Sequence, residues 1–395
     1  MKLHKLTIEN FRGFDRFAIN HLGRVNLLVG TNNSGKTSIL EATYLLMSSR
    51  PAASIWNILS RRGEVLPGRG KAQASVPTEL VGDVRLLFGG RTFAPGRSLQ
   101  LSGATDAGLA ETRIRIDDGG MGDATIGAGI GPVSSSLGGA GFASQAALAT
   151  PIASLVITSA TSPDAMGVVA PSDEVLGLDQ DGCLAAGAAR QAPFLSRGYK
   201  PLQMPHFVDT NSLINSQYIA RHYAEIALTS EEELVLEAVR LISPEVQRIA
   251  SIGTTIEWPG LPARDGIYAR LEGVAERVPL GSLGDGIWRM LGLALAVVHS
   301  RDKILLIDEI DTGLHHSIMG KMWRFLDECS KRFNVQIIAT THSRDCYQSL
   351  AEICREDVID QSEVTIQRIE RGRSESVAYS EAEIIAAADR DIEVR

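Results

Sequence analysis

Aromatic residues are scarce in this chain of 395 residues: Phe, Trp and Tyr together make up 5 %. A core must therefore be mostly aliphatic, and 44 % apolar against 22 % charged residues argues against global disorder. The four cysteines, Cys183, Cys329, Cys346 and Cys354, form no CxxC pair. That excludes a disulfide scaffold and the usual zinc-ribbon spacing, and fits a reducing, cytoplasmic setting. Long hydrophobic runs are missing too. The most apolar window, Ile287–Val298, contains Arg289 and is too short to span a bilayer. The opening MKLHKLTIENFRGF has no apolar h-region, so neither a signal peptide nor a membrane partner is expected. Excess positive charge is absent: a net charge of -8 argues against coating nucleic acid by bulk charge, while leaving room for a local basic patch. No internal repeat, no HNH-type metal-finger pattern and no long heptad run is found.

The first stretch reads as β. Leu6-Thr7-Ile8-Glu9 alternates as a half-buried strand does, Phe17-Ala18-Ile19 follows a turn at Gly13, and Val25–Val29 ends on Gly30. A helix is expected from about Lys36 to Met47. Residues 50–97 then carry eight Arg or Lys against three acids, the most basic part of an acidic chain. From Ile116 to Ala189 there is no Lys or Arg, and Gly, Ala and Ser dominate, as in a weakly packed insertion of loops and short strands, one of them at Val156-Ile157. Helix returns near Asn211, and Ser230 with Glu233 has the capping-box spacing. The last third is α/β. Lys303–Ile307 reads as a central parallel strand, Ile318 to Phe333 as a helical stripe, and Val335–Ala339 as the next strand, a βαβ crossover.

Two motifs carry chemistry. Gly30-Thr31-Asn32-Asn33-Ser34-Gly35-Lys36-Thr37 fits GxxxxGK[ST] between an apolar strand and an amphipathic helix. Glycines let the loop curl so that backbone N–H groups, joined by the helix N-terminus and Ser38, face phosphate oxygens. Lys36 would reach the β- and γ-phosphates of ATP and the Thr37 hydroxyl would ligate Mg²⁺. In Ile304–Glu309 an apolar strand ends in carboxylates: Asp308 would hold the Mg²⁺ through water, and Glu309 is placed to act as general base on the attacking water. His315 and His316 point about 100° apart on a helix and make a poor chelating pair. His206, His222 and His299 have no matching carboxylate or cysteine cluster in sequence, so no zinc site is expected.

With both motifs in order, the chain resembles the ABC-type ATPase heads of the SMC, RecF and OLD-like group, AAA family ATPases in the broad sense. The opening LTIENFRGF is similar to the start of RecF-like and OLD-like ATPases, which makes Arg12 a candidate ATP contact. Ser282-Leu283-Gly284-Asp285-Gly286 resembles the ABC signature loop, with Leu283 where glycine is usual and Asp285 where Gln or Glu is usual. Asp311 stands where a D-loop aspartate would, and His342, in Thr341-His342-Ser343, where the switch histidine would. The resemblance covers residues 1–50 and 275–350. It implies an α/β P-loop fold: N-terminal antiparallel strands, a central parallel sheet flanked by helices, and an inserted helical and loop-rich region. Residues 1–50 would be the first part of the head, 51–228 the insertion, and 229–395 the second part with signature-like loop, Walker B, D-loop and switch histidine.

The resemblance further implies an ATPase that uses ATP and Mg²⁺ and forms a homodimer or higher oligomer through an ATP sandwich, with Ser282 and Gly284 facing the phosphate loop of the other copy. Its output would be a partner effector or a DNA-processing event, in anti-phage defence or repair. Few residues follow His342, fewer than the TOPRIM nuclease of OLD-family proteins takes, so a nuclease or toxin would be a separate chain. Nucleic acid is a candidate ligand of residues 50–97, against the alternative that these arginines pair within the insertion. A non-catalytic, nucleotide-sensing scaffold is the alternative function, favoured by the unusual signature loop. An ABC transporter subunit fits poorly, given the opening and the large insertion.

Overall fold

The computed structural model describes residues 1–68, 80–91, 93–118, 153–162, 172–179, 181–187, 204–252, 266–355 and 363–389. Most of the Gly/Ala/Ser-rich stretch, together with Arg69 and Lys71 of the basic segment, lies outside them.

Six strands form the central sheet in the order His206–Val208, Ile304–Ile307, Gln336–Thr340, Val25–Val29, Val364–Arg368, Val377–Tyr379. The first five run parallel and the last is antiparallel. Because side chains alternate along a strand, each strand feeds two cores. Leu27, Leu305 and Ile337 face one core, shared with the helices Asp285–Val298, His316–Arg332 and Arg344–Arg355. Leu28, Leu306 and Ile338 face the other, built with the helix Lys36–Leu46 and a second sheet. That is why these strands are continuous apolar runs rather than alternating ones.

The second sheet has nine antiparallel strands, in the order Phe14–Ile19, Leu3–Phe11, Ser98–Thr105, Gly108–Asp118, Ala153–Ser162, Ser172–Leu178, Cys183–Ala185, Leu80–Asp83, Val65–Pro67. The described strands between Val65 and Ala185 thus extend the sheet that residues 3–19 begin. The strand through Val156 and Ile157 pairs with Gly108–Asp118 over its whole length. A third, small sheet joins Val246–Ser251, Ile267–Leu271 and Val278–Pro279. The helix expected to start at the Ser230 capping box begins there, but its cap is Thr229, whose hydroxyl accepts from Glu231 N–H at 3.3 Å. Among the described residues no helix is long and apolar enough to cross a membrane.

Candidate nucleotide site

The phosphate loop connects the strand Val25–Val29 to the helix Lys36–Leu46. Gly35 holds φ 102°, the left-handed region that L side chains avoid, and a Cβ there would run into the Phe14 ring. Gly35 is also the N-cap of that helix and supplies no side-chain cap. The first-turn N–H groups are therefore free of protein acceptors of that kind, as an anion-binding terminus requires.

Lys36 folds back into the loop. Its Nζ donates to Gly30 O at 2.7 Å and Thr31 O at 2.9 Å, and lies 3.2 Å from His342 Nδ1. A lysine ammonium can only donate, so Nδ1 of His342 is the acceptor and its proton sits on Nε2. Burial pulls Lys36 down to about 8, against the opposing pull of Asp308 and Glu309.

The sheet order explains how the two motifs meet. Gln336–Thr340 lies between the phosphate-loop strand and Ile304–Ile307. Its last residue, Thr340, donates from Oγ1 to Asp308 Oδ1 at 2.6 Å and accepts from Glu309 N–H at 2.9 Å. Thr37 Oγ1 donates to the same carboxylate, at 3.0 Å to Oδ2 and 3.2 Å to Oδ1. Thr341 Oγ1 bonds Asp311 Oδ1 at 2.6 Å. Threonines at three positions thus aim the carboxylates; the sequence pattern gave a site role to Thr37 but not to Thr340 or Thr341.

Glu309 sits at φ 52°, strained for a residue with a Cβ. Its backbone is held on both sides. The N–H goes to Thr340, and the carbonyl accepts from Arg289 Nη2. Among the described residues its carboxylate meets only long contacts, Thr312 Oγ1 at 3.3 Å and Thr210 Oγ1 at 3.4 Å. Arg289 is 1 % exposed and also donates to Thr210 O at 3.2 Å. Burial pulls it down to about 10, with Asp311 and Glu309 opposing. Sequence reasoning missed Arg289 as a site residue, although a lone cation inside the most apolar window was the signal.

Beside the loop lies a cavity of about 720 Å³. Asn33, Ser34, Gly35 and Ser38 form one wall. Arg12, Arg16, Arg62, Arg371 and Arg373 also line it, against the acids Asp15 and Glu64, so its lining favours a polyanion. Arg12 does not project as a solitary cation. Its Nε lies 2.6 Å from Glu41 Oε2, and its Nη1 and Nη2 reach Glu64 at 2.8 and 3.0 Å. Arg62 holds the other Glu41 oxygen at 2.6 Å. Glu41, on the phosphate-loop helix, is 2 % exposed, and burial raises its pKa although both arginines oppose this. The network fixes the arginines at the cavity wall.

Ser282 and Gly284 are exposed and do not line this cavity. They precede the helix Asp285–Val298, whose N-cap is Gly284 at φ 102°, again without a side-chain cap. His315 caps the helix His316–Arg332, and both histidines are exposed.

Two groups of residues have partners that the sequence reading did not name. The arginines of the basic segment that can be followed are mostly engaged. Arg61 pairs with Asp209 at 2.7 Å, Arg62 with Glu41, Arg85 with Asp83 at 2.7 Å, and Arg97 donates to Gly89 O at 2.6 Å. Pairing within the protein, not a free basic patch, is what these positions show. The second group is the scattered histidines. The fold brings His299 to His222 and to Glu225, a carboxylate three residues on from His222 that sequence reasoning passed over.

Two family models match the chain: "AAA ATPase domain" over residues 1–73, and "AAA domain, putative AbiEii toxin, Type IV TA system" over residues 173–345. An ATP/GTP phosphatase of Helicobacter pylori is 32 % identical over 91 residues, 22 % of this chain and 24 % of that protein. The DNA replication and repair protein RecF of Clostridioides difficile is 48 % identical over 46 residues, 12 % of each. The chain therefore matches about a quarter or less of the length of these two relatives. A solved SMC head bound to the C-winged helix domain of ScpA has a TM-score of 0.47 at 13 % identity, over 96 % of this chain and 98 % of that one. The fold assignment rests on the strand order and the phosphate loop, not on that superposition. Together the topology, the loop and the family matches define an α/β P-loop fold similar to AAA ATPase domains over residues 1–73 and 173–345. Within that class, the chain is similar to the replication and repair protein RecF over the 46 residues matched.

Proposed function

We propose that the chain binds ATP with Mg²⁺, hydrolyses it, and uses the nucleotide to close a dimer that controls a partner effector or a DNA-processing event. The observation that carries the reading is the meeting of Thr37, in the first turn of the phosphate-loop helix, with Asp308 and Thr340 at the ends of two adjacent parallel strands. A hydroxyl beside a carboxylate is an all-oxygen donor set, which suits Mg²⁺. Thr37 would ligate the ion directly and Asp308 through water. When bound, Mg²⁺ would offset charge on the β- and γ-phosphates.

Lys36 would leave the carbonyls of Gly30 and Thr31 for the γ-phosphate, with Gly30, Asn32, Asn33, Ser34, Gly35 and Ser38 contributing the surrounding cradle. Glu309, whose carboxylate makes only long contacts among the described residues, would take the proton of the attacking water. His342, beside the Lys36 ammonium, is positioned to sense the same phosphate. Arg12 would form part of the nucleotide wall. The exposed Ser282–Gly284 loop and the uncapped helix behind it would grip the γ-phosphate held by a second copy, with Asp311 near that contact.

The names of relatives support the pathway part: RecF is a replication and repair protein, and one matching family is described by a toxin system. A separate nuclease or toxin chain is the partner of choice for the defence reading. Nucleic acid at residues 50–97 is the weaker idea, because the arginines there are paired.

A second reading has its own observation. Leu283 and Asp285 depart from the usual signature loop, as they would in a scaffold that reads nucleotide state without turnover. Mg²⁺-dependent ATP turnover, measured in the wild type and in Glu309→Gln, tests the choice. Turnover lost in the variant supports the ATPase; no turnover in the wild type, with ATP bound, supports the scaffold.

A further inference from the structure

Away from the nucleotide site, the helix Ser216–Ile226 carries His222 and Glu225 three residues apart, hence on one face. They meet His299, the C-cap of the helix Asp285–Val298. Glu225 Oε2 lies 3.0 Å from His299 Nε2 and 3.7 Å from His222 Nδ1. One donor atom from each of the three residues falls within 4.8 Å of the other two. Bonds of about 2.0–2.2 Å to a tetrahedral dication set its donors roughly 3.3–3.6 Å apart, so small side-chain rotations close the set.

The protonation pattern points the same way. His299 Nδ1 is 2.8 Å from the carbonyl of Leu295, which can only accept, so the proton is on Nδ1. The other ring nitrogen, Nε2, faces the Glu225 carboxylate oxygen. A histidine tied by its other nitrogen to a backbone carbonyl is how metal-ligating imidazoles are usually oriented. His222 Nδ1 is buried and, among the described residues, has no hydrogen-bond partner, with Glu225 Oε2 3.7 Å away.

His206 belongs to the surroundings, not to the set. Its Nδ1 donates to Ser300 Oγ, whose own proton goes to Ala296 O, and its Nε2 accepts from Tyr218 O–H at 2.9 Å. Both ring nitrogens are used. Glu225 is half exposed, and Arg221 Nε lies 3.8 Å from its other oxygen. His222 and Tyr218 line an open cavity of about 460 Å³, with room for a water as fourth ligand.

We propose that His222, Glu225 and His299 form a binding site for a zinc-like transition-metal dication, distinct from the Mg²⁺ position at Thr37 and Asp308. Two imidazoles and one carboxylate suit zinc rather than magnesium. The metal would clamp the helix Ser216–Ile226 to the C-terminal end of the helix whose other end is the Ser282–Gly284 loop. It would thereby limit how that helix shifts relative to its neighbour.

The test is a Zn²⁺ titration of the full chain by calorimetry near neutral pH, after chelator stripping and without nucleotide. The wild type should bind one Zn²⁺ per chain more than the double variant His222→Ala/His299→Ala. Glu225→Gln should bind that ion roughly tenfold to a hundredfold more weakly. Glu225 is half exposed, so this variant keeps the test alive if the double variant does not fold. Co²⁺ should give visible absorption of a tetrahedral N/O site in the wild type and lose it in both variants. Equal Zn²⁺ stoichiometry and affinity in wild type and Glu225→Gln would overturn the site and leave Glu225 and His299 as an ion pair.

Discussion

Arg289, buried in the helix behind the signature-like loop, donates to the backbone carbonyl of Glu309, the residue that follows the Walker B aspartate. One side chain therefore joins the surface proposed to read a partner's nucleotide to the residue proposed to activate water. The second donation, to Thr210 O, ties the same guanidinium to the loop after the edge strand. Arg289→Met keeps apolar volume and removes both donors. The Glu309 carbonyl keeps the Thr312 N–H at 3.2 Å, whereas the Thr210 carbonyl loses its side-chain donor, at a cost of about 1–3 kcal/mol. We expect a lower unfolding midpoint, ATP affinity near the wild-type value, and ATP turnover reduced at least tenfold. Turnover unchanged at full occupancy would mean the Glu309 backbone does not need this anchor.

Lys36→Ala should abolish ATP binding. The ammonium is the cation that already bonds the loop carbonyls, and without it the γ-phosphate charge is poorly offset. Calorimetry decides: wild-type affinity in the variant would remove the loop from the account.

Lys36 also gives a pH signature. Its folded pKa, near 8, lies below the 10.5 of an unfolded lysine. Native stability from this group is thus present above 10.5 and is lost as pH falls through about 8. For ATP the sign reverses, because phosphate favours the charged amine. Binding above pH 8 should take up a proton, and affinity should fall as pH rises through that value. Calorimetry in buffers of different ionisation heat reads the proton number directly. No uptake above pH 8 would contradict the burial of Lys36.

Thr340 bridges Asp308 and the Glu309 amide. Thr340→Val keeps the shape and deletes both bonds. We expect the Mg²⁺ concentration for half-maximal turnover to rise, with Thr340→Ser restoring it. An unchanged Mg²⁺ requirement in Thr340→Val would show that the carboxylate needs no such support.

The parallel strands and the phosphate loop were legible because both are local: a buried strand is a short apolar run, and the loop's chemistry lies within eight consecutive positions. The antiparallel sheet was not, since its strands pair residues far apart in sequence, such as Leu3–Phe11 with Ser98–Thr105. Arg289 and Thr340 escaped for a related reason. Their roles depend on backbone groups brought up by other strands, which no spacing rule encodes. Glu225 stands three positions from His222, but His299 lies more than seventy positions further on, so no local pattern joins it to them. The basic segment was read from charge alone, and its acidic partners Glu41 and Asp209 lie outside it.

The central claim, a composite ATP site shared by two copies, is tested most directly by the solution mass of Glu309→Gln with and without ATP. Glu309→Gln should retain ATP binding while hydrolysis falls by roughly 10²–10⁴, so the γ-phosphate persists for the opposing Ser282 loop. The account predicts a doubling of mass on adding ATP, abolished when Ser282→Arg is placed in the same background. A mass that ignores ATP in a variant that binds it but no longer hydrolyses it would contradict the shared site, whatever the phosphate loop does.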